Sequence, residues 1–341
     1  MLKEIFEIPE VLERISDLKF SPKTKKLLNS AKRIFLVGSG SSYHAGFLGR
    51  HFFESVAGVE AEAWVASEWN LNPPEFRKGD LAILISQSGG TAEIVSALKT
   101  ARELKVPILA LVNRKNSTLA KKADQFIDIL AGAEKAVPAT KSFVAEVAVL
   151  VKLALFCALF RGRVSAGVFK RLESQLTGLG QEVEPVLDRS LKIKSITARY
   201  KSFGNFIVAG SGTTLPLAYE LALKLKETAG VHAEGMPLGE VRHGPMALAQ
   251  KRFAFVLLVD SADAARAREL ATDLKKTGSK VLVWGDKKFP ASDSYLLPKG
   301  PQIFSPFTLS AAFLLFSYWL GVGRGINVDK PQNLTKSVIV R

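Results

Sequence analysis

The chain has 341 residues, 47% of them hydrophobic, and a formal net charge of +15. That length predicts two domains, with ample apolar material for two cores. The basic side chains are spread without a tail or aromatic interleaving, so they read as a solvated surface that steers anions, and no nucleic-acid partner is expected.

One cysteine, Cys157, lies inside an apolar run. It excludes a disulfide framework and a cysteine metal site, and it fits a reducing, cytoplasmic location. The start, Met1-Leu2-Lys3-Glu4-Ile5-Phe6-Glu7, has no signal-peptide pattern. Two apolar runs, 143–160 and 304–320, are interrupted by Glu146 and Lys152 in the first and by Pro306 and serines in the second. Both read as buried core helices, and no membrane partner is expected.

In chain order, residues 1–18 read as an amphipathic helix with Ile5, Ile8, Leu12 and Ile15 on one side. Ser21-Pro22 opens a second helix. A strand over 33–37 ends in Gly38-Ser39-Gly40-Ser41-Ser42, and a helix follows over about 43–56. Strands over 61–65, 81–86, 106–112 and 125–130, with a helix over 92–104, complete the set. Strands alternating with helices predict an α/β domain with a parallel sheet. Residues 166–200 read as a largely polar helical linker.

Within that set the turn Ser86-Gln87-Ser88-Gly89-Gly90-Thr91 joins a buried strand to a helix. Its glycines let the backbone approach a ligand, and the free N–H groups of a helix start favour an anion. Hydroxyls add donors without adding charge. These are the parts of a phosphate cradle, although no Gly-Lys-Ser/Thr ends it as in a P-loop. The plain alternative is a polar turn capped by Ser88 and Thr91.

The pattern then returns. Phe206-Ile207-Val208-Ala209-Gly210-Ser211-Gly212 echoes Phe35-Leu36-Val37-Gly38-Ser39-Gly40. Gly210 follows Gly38 by 172 residues, Asp260 follows Ser86 by 174, and Lys280 follows Val106 by 174. An α/β unit is therefore read as duplicated. The second copy has Asp260-Ser261-Ala262-Asp263 where the first has Ser86-Gln87-Ser88-Gly89, so only the first is expected to hold a phosphate.

Glu220, Lys224 and Glu227 fall at i, i+4 and i+7 and share one helix face. An exposed salt-bridge stripe is the plain account. Two stretches downstream, His232-Ala233-Glu234-Gly235 and Gly239-Glu240-Val241-Arg242-His243-Gly244-Pro245, read as glycine-rich loops holding acids and bases, which is common at sites. A carboxylate can move a proton on carbon beside a carbonyl, and a histidine can move one between sugar oxygens. No cluster has zinc-ligand spacing, and no metal or organic cofactor is expected.

Four motifs in order carry a resemblance: Gly40-Ser41-Ser42-Tyr43; Ser86-Gln87-Ser88-Gly89 with Thr91; Val137-Pro138-Ala139-Thr140-Lys141; and the stretch from Glu220 to Pro245. The tail Pro331-Gln332-Asn333-Leu334-Thr335-Lys336-Ser337-Val338 is a fifth. Over nearly its whole length the chain resembles the sugar isomerase (SIS) family, in particular the isomerase halves of glucosamine-6-phosphate synthases and the stand-alone archaeal-type glucosamine-6-phosphate deaminases. The resemblance implies two tandem SIS domains, at 1–185 and 186–325, each a parallel sheet flanked by helices, with a tail at 326–341 over the active site. It implies that Ser42, Ser86, Gln87, Ser88 and Thr91 hold the sugar phosphate, with further substrate contacts at Val137 and Ala139. It makes Glu227 the base between C1 and C2, and His243 the ring-opening group of a neighbouring subunit in a homodimer. Lys224 would aid proton transfer, and Lys336 would lie over the substrate and could form an imine with an open-chain ketose.

The synthases usually carry Glu, Ser and Arg where Gly90, Ala139 and Gln332 stand. Their glutaminase domain begins with a cysteine, whereas this sequence begins Met1-Leu2. The expected activity is therefore glucosamine-6-phosphate deamination to fructose 6-phosphate and ammonia. The rivals are a deglycase for sugar-phosphate–amino acid adducts, an ammonia-dependent synthase and, less favoured, a non-catalytic sugar-phosphate sensor.

Overall fold

In the computed structural model, which describes residues 1–298 and 303–336, ten strands alternate with fourteen α-helices among the described residues. The strands are β1 Arg33–Gly38, β2 Glu60–Val65, β3 Asp80–Ser86, β4 Ile108–Val112, β5 Gln125–Asp128, β6 Asn205–Gly210, β7 His232–Pro237, β8 Phe253–Leu258, β9 Lys280–Gly285 and β10 Asp293–Leu296. The helices before the second set of strands are α1 Leu2–Phe6, α2 Ile8–Ser16, α3 Pro22–Ser30, α4 Ser41–Phe52, α5 Ala66–Leu71, α6 Ala92–Glu103, α7 Thr118–Lys122, α8 Lys141–Phe160, α9 Ala166–Thr177, α10 Leu179–Asp188 and α11 Ser190–Ala198. After them come α12 Thr214–Ala229, α13 Ala264–Lys276 and α14 Ser305–Gly323.

Every strand pair is parallel, and the two five-stranded sheets have one order: β2-β1-β3-β4-β5 and β7-β6-β8-β9-β10. In the first, Leu36 lies opposite Ala63 on β2 and Ile83 on β3. All seven residues of β3 are buried, as expected of a central parallel strand covered on both faces. Strand order reverses beside β1 and again beside β6, so the loops after β3 and β8 lie at equivalent switch points, where sheets of this kind bind ligands. The duplication also extends to detail. A Cβ on Gly38 would come within 2.6 Å of the backbone of Ser42, and one on Gly210 within 2.4 Å of that of Thr214. Each first strand runs into its helix so closely that only glycine fits.

The chain divides into two compact units. The first comprises 7–134 and 141–180 and takes in 335–336; the second comprises 1–6, 135–140 and 181–334. The first core gathers Phe35, Val37, Leu84, Leu98 and Val112 under α6 and α7; the second gathers Ile207, Phe255, Leu257, Leu270 and Val283 under α13.

Both long apolar runs are core helices. By length and composition α8 and α14 could each cross a membrane, yet 83% and 78% of their most apolar windows are buried. Burial in α8 pushes the Cys157 thiol up to about 12, so it stays protonated and inert.

Several expected elements differ. The helix over 1–18 is two helices broken at Glu7, because Pro9 lacks an N–H and is tolerated only in a first turn. The segment 166–200 is helical, as expected, and is divided into three helices. The supposed loop 232–235 is the start of strand β7, paired to β6 with Glu234 opposite Ile207. Gly235 disguises it: a Cβ there would lie 2.8 Å from the Cα of Tyr219, so close helix packing, not a turn, calls for the glycine.

Candidate active site

The first unit carries the hydroxyl-rich loop. β3 ends at Ser86 and α6 begins at Ala92, as expected. Ser86 is buried, and its Oγ accepts the Gly89 N–H at 3.1 Å. Ser88 Oγ accepts the Gly90 N–H at 3.3 Å and lies 3.3 Å from Thr91 Oγ1. Gln87, Ser88 and Thr91 are half-buried, at the mouth of the turn. Thr91 occupies the N-cap of α6, but its side chain makes no capping bond. That departs from the polar-turn account, in which Ser88 and Thr91 cap the helix. The first-turn N–H groups of a twelve-residue helix thus have no side-chain cap, the arrangement that favours an external anion.

Ser42 lies in the first turn of α4, in the same unit. Its Oγ donates at 2.9 Å to Glu146, a buried carboxylate on α8. The hydroxyl proton is therefore committed inward, and what Ser42 offers a ligand is oxygen lone pairs. Glu146 was singled out in the sequence only as a charge interrupting an apolar run. A lone acid in such a run is itself the signal, since a buried carboxylate needs a donor.

The tail lysine also has a partner within the first unit. Lys336 Nζ donates to Glu134 Oε2 at 2.7 Å, and the Glu134 side chain is fully buried. The tail residues Ser337 and Val338 lie outside the described residues.

The second unit carries the ionisable helix face. On α12 the Lys224 ammonium pairs with Glu227 and lies 3.4 Å from Glu220. The Glu220 and Lys224 side chains have no solvent exposure, while Glu227 retains 20%. The exposed-stripe account is thereby overturned: this face points inward. A buried charge is tolerated only when paired, and here two carboxylates flank one ammonium, with one carboxylate reaching solvent. His243 follows a short 3-10 turn, Leu238–Arg242, and is exposed. Val137 and Ala139 are half-buried in the same unit, and the Val137 N–H donates to the Asp329 carbonyl at 3.0 Å. Among the described residues, no three His, Cys, Asp or Glu side chains group as a metal site.

The geometry defines a duplicated, doubly wound α/β protein with an anion-type loop in one copy and a buried acid–base face in the other. The SIS domain family model matches residues 27–156 and 201–320, one stretch in each copy, and the chain belongs to that family. A glutamine–fructose-6-phosphate aminotransferase (isomerizing) of Gloeobacter violaceus is 34% identical over 358 residues, covering 100% of this chain and 58% of its own length. The protein of that name from Halobacterium salinarum is 35% identical over 356 residues, with 100% and 59% covered. The chain thus spans less than two thirds of these relatives. Among solved structures, the C-terminal domain of glucosamine-fructose-6-phosphate aminotransferase from Francisella tularensis superposes with a TM-score of 0.92 at 28% identity, covering 97% of each chain. A glucosamine-6-phosphate deaminase from Thermotoga maritima, at 24% identity, TM-score 0.78 and 99% coverage of each chain, shares the fold.

Proposed function

We propose that the chain is a glucosamine-6-phosphate deaminase working by aldose–ketose proton transfer. The observation that supports it most is the buried Glu220–Lys224–Glu227 line, whose only solvent-reaching member is a carboxylate. Ion pairs of this kind add little stability over apolar packing, so their retention points to chemistry. In this reading Ser42 and the loop 86–91 hold the sugar phosphate, and Val137 and Ala139 add substrate contacts. His243, from the neighbouring chain of a homodimer, moves the ring proton and opens the pyranose. Glu227 takes the C2 proton and returns it to C1, which converts the 2-amino aldose to a C2 imine. Water adds to that imine, and ammonia leaves with formation of fructose 6-phosphate. Lys224 pairs with Glu227 and aids the proton transfer, and Lys336 lies over the sugar. The reducing cytoplasm is the proposed location.

The reverse direction, amination of fructose 6-phosphate by free ammonia, is the second reading. The isomerizing aminotransferases among the relatives favour it. A panel of glucosamine 6-phosphate, fructose 6-phosphate with ammonium, and phosphorylated sugar–amino acid adducts separates the cases. Ammonia release from glucosamine 6-phosphate is the expected result. Turnover confined to the adducts would assign a deglycase, and binding without any turnover would assign a sensor.

A further inference from the structure

Glu4 has no part in the reaction as drawn, yet it is buried. At the start of the chain Met1, Glu4 and Ile5 are covered while Lys3 and Phe6 are exposed, so Glu4 takes a place on the inward face of α1 where an apolar side chain is expected. A buried carboxylate is costly unless it accepts hydrogen bonds. The Glu4 Oε1 accepts the N–H groups of Lys135 and, at 3.2 Å, of Ala136. Its Oε2 lies 3.4 Å from the Met1 amino group. Residues 135–140 form no helix or strand, so their N–H groups have no ladder to join. The next donor in line, the Val137 N–H, goes to the Asp329 carbonyl at 3.0 Å. Three consecutive backbone donors are thereby held by groups far away in sequence, two of them by one side chain. All of these residues belong to the second unit. Val137 and Ala139, which follow directly, are half-buried.

We propose that Glu4 is a positioning residue: by holding the backbone at 135–136 it fixes where Val137 and Ala139 meet the sugar phosphate. This rests on the sugar-phosphate reading given above, which assigns Val137 and Ala139 to the substrate. The role is hydrogen-bond acceptance alone, and no covalent step or proton transfer passes through Glu4. An apolar side chain of similar length would leave two backbone donors without their acceptor, and the segment would have to shift to satisfy them. The effect therefore falls on substrate binding, and the proton transfer assigned to Glu227 is left alone.

The test uses the full chain in three forms: wild type, Glu4→Met and Glu4→Gln. Methionine fills the same space without an oxygen, whereas glutamine keeps a carbonyl oxygen for the two N–H groups. In Glu4→Met, KM for glucosamine 6-phosphate is expected to rise about tenfold, with kcat within about twofold of wild type. Glu4→Gln is expected to bring KM back to within about twofold of wild type, since the acceptor is restored. A merely structural carboxylate would change the fraction of folded enzyme, and with it kcat, while the molecules that remain folded keep the wild-type KM. An unchanged KM in Glu4→Met, or an equal rise in both variants, would overturn the proposal. Hydrogen exchange read by mass spectrometry needs no activity. A peptide spanning 135–137 is expected to exchange about tenfold faster in Glu4→Met, with β3 at its wild-type rate. Unchanged exchange there would show that Glu4 does not hold the segment and would overturn the proposal. Should Glu4→Met melt early, Glu4→Asp keeps the carboxylate but draws it back by one methylene, and it carries the same expectation for exchange and for KM. If the wild type binds fructose 6-phosphate but turns over no sugar phosphate, the deaminase reading has failed. The positioning role then stands or falls on the same shift of about tenfold, read as a Kd by calorimetry. If the wild type binds no sugar phosphate at all, the positioning role falls with the reading, even where exchange at 135–137 responds.

Discussion

The loops after β3 and β8 occupy the same place in two copies of one fold, and they use their polar residues differently. After β8, Asp260 turns its carboxylate onto the N–H groups of Ala262 at 2.8 Å and Asp263 at 3.3 Å, and so caps the short 3-10 turn Ser261–Asp263 ahead of α13. The second loop thus holds a carboxylate of its own, although α13 itself begins without a side-chain cap. After β3, Thr91 leaves α6 without a side-chain cap, and Ser88 and Thr91 are half-buried with their hydroxyls 3.3 Å apart. The first helices differ as well. α12 buries Glu220 and Lys224, whereas α4 presents a ring stack of Tyr43, Phe47 and His51. One copy has a hydroxyl-rich loop and the other a buried acid–base face, and in the proposed reaction the first would serve binding and the second chemistry.

The largest expected effect tests the chemical half of that division. Glu227→Gln keeps the shape of the α12 face but cannot accept a proton, so turnover falls by about 10²–10⁴-fold with substrate binding retained. Deuterium exchange at C2 of the sugar should vanish in parallel. Mixing inactive Glu227→Gln and His243→Ala chains should restore part of the activity, because one site of each hybrid then holds both groups. No recovery after proven subunit exchange would remove the shared site, and near-normal exchange in Glu227→Gln would move the base elsewhere.

The next effect tests the binding half by contrasting neighbouring glycines. Gly89 sits at φ +60°, and a Cβ there would lie 2.2 Å from Ser117 Oγ. Gly89→Ala is expected to cost about 1–3 kcal/mol of stability, read by chemical denaturation. Gly90 has nothing within 4 Å of its would-be Cβ and no positive φ. Gly90→Ala should therefore melt within about 0.5 kcal/mol of wild type. Thr91→Val, which removes the hydroxyl 3.3 Å from Ser88 Oγ, should instead raise KM for the sugar phosphate about tenfold. An unchanged KM would place the phosphate elsewhere.

Much of the duplicated fold was legible in the sequence, for physical reasons. The repeat shows because parallel strands need the same buried runs and the same glycine at the strand–helix junction in each copy. The two loops show because hydroxyls and carboxylates act oppositely on an anion. The direction of the α12 face did not show: charges at i, i+4 and i+7 look alike whether water or protein covers them, and only packing decides. Strand β7 was hidden by its polar residues and by Gly235. Glu134 was hidden because its partners, Ser142 and Lys336, share no periodicity with it.

A smaller effect is expected at Asp260. Asp260→Ala removes the built-in anion, and loss of such a cap costs about 0.5–2 kcal/mol. Because the place was already filled, KM for the sugar phosphate should stay at the wild-type value. A raised KM would mean that the second loop also serves the substrate, and the contrast between the copies would fail.

The smallest effect concerns α4, the counterpart of α12 in the first copy. His51 stacks on Phe47 at 5.7 Å, and its Nε2 is buried with no hydrogen-bond partner among the described residues. Burial lowers its pKa from 6.5; Arg50 pushes the same way, and Glu54 opposes. The unfolded chain therefore binds this proton more readily than the folded one. The stability linked to His51 is fully present above 6.5 and is lost as pH falls from there through the lowered native value. His51→Phe keeps a ring on Phe47 and cannot be protonated. Its melting temperature should fall less than that of the wild type as the buffer is taken from neutral to mildly acidic, while turnover at neutral pH stays unchanged. If the two proteins lose stability in parallel, the ring at 51 carries no protonation penalty. The acid sensitivity would then belong to the paired carboxylates, and the contrast would reduce to the buried charges of α12 alone.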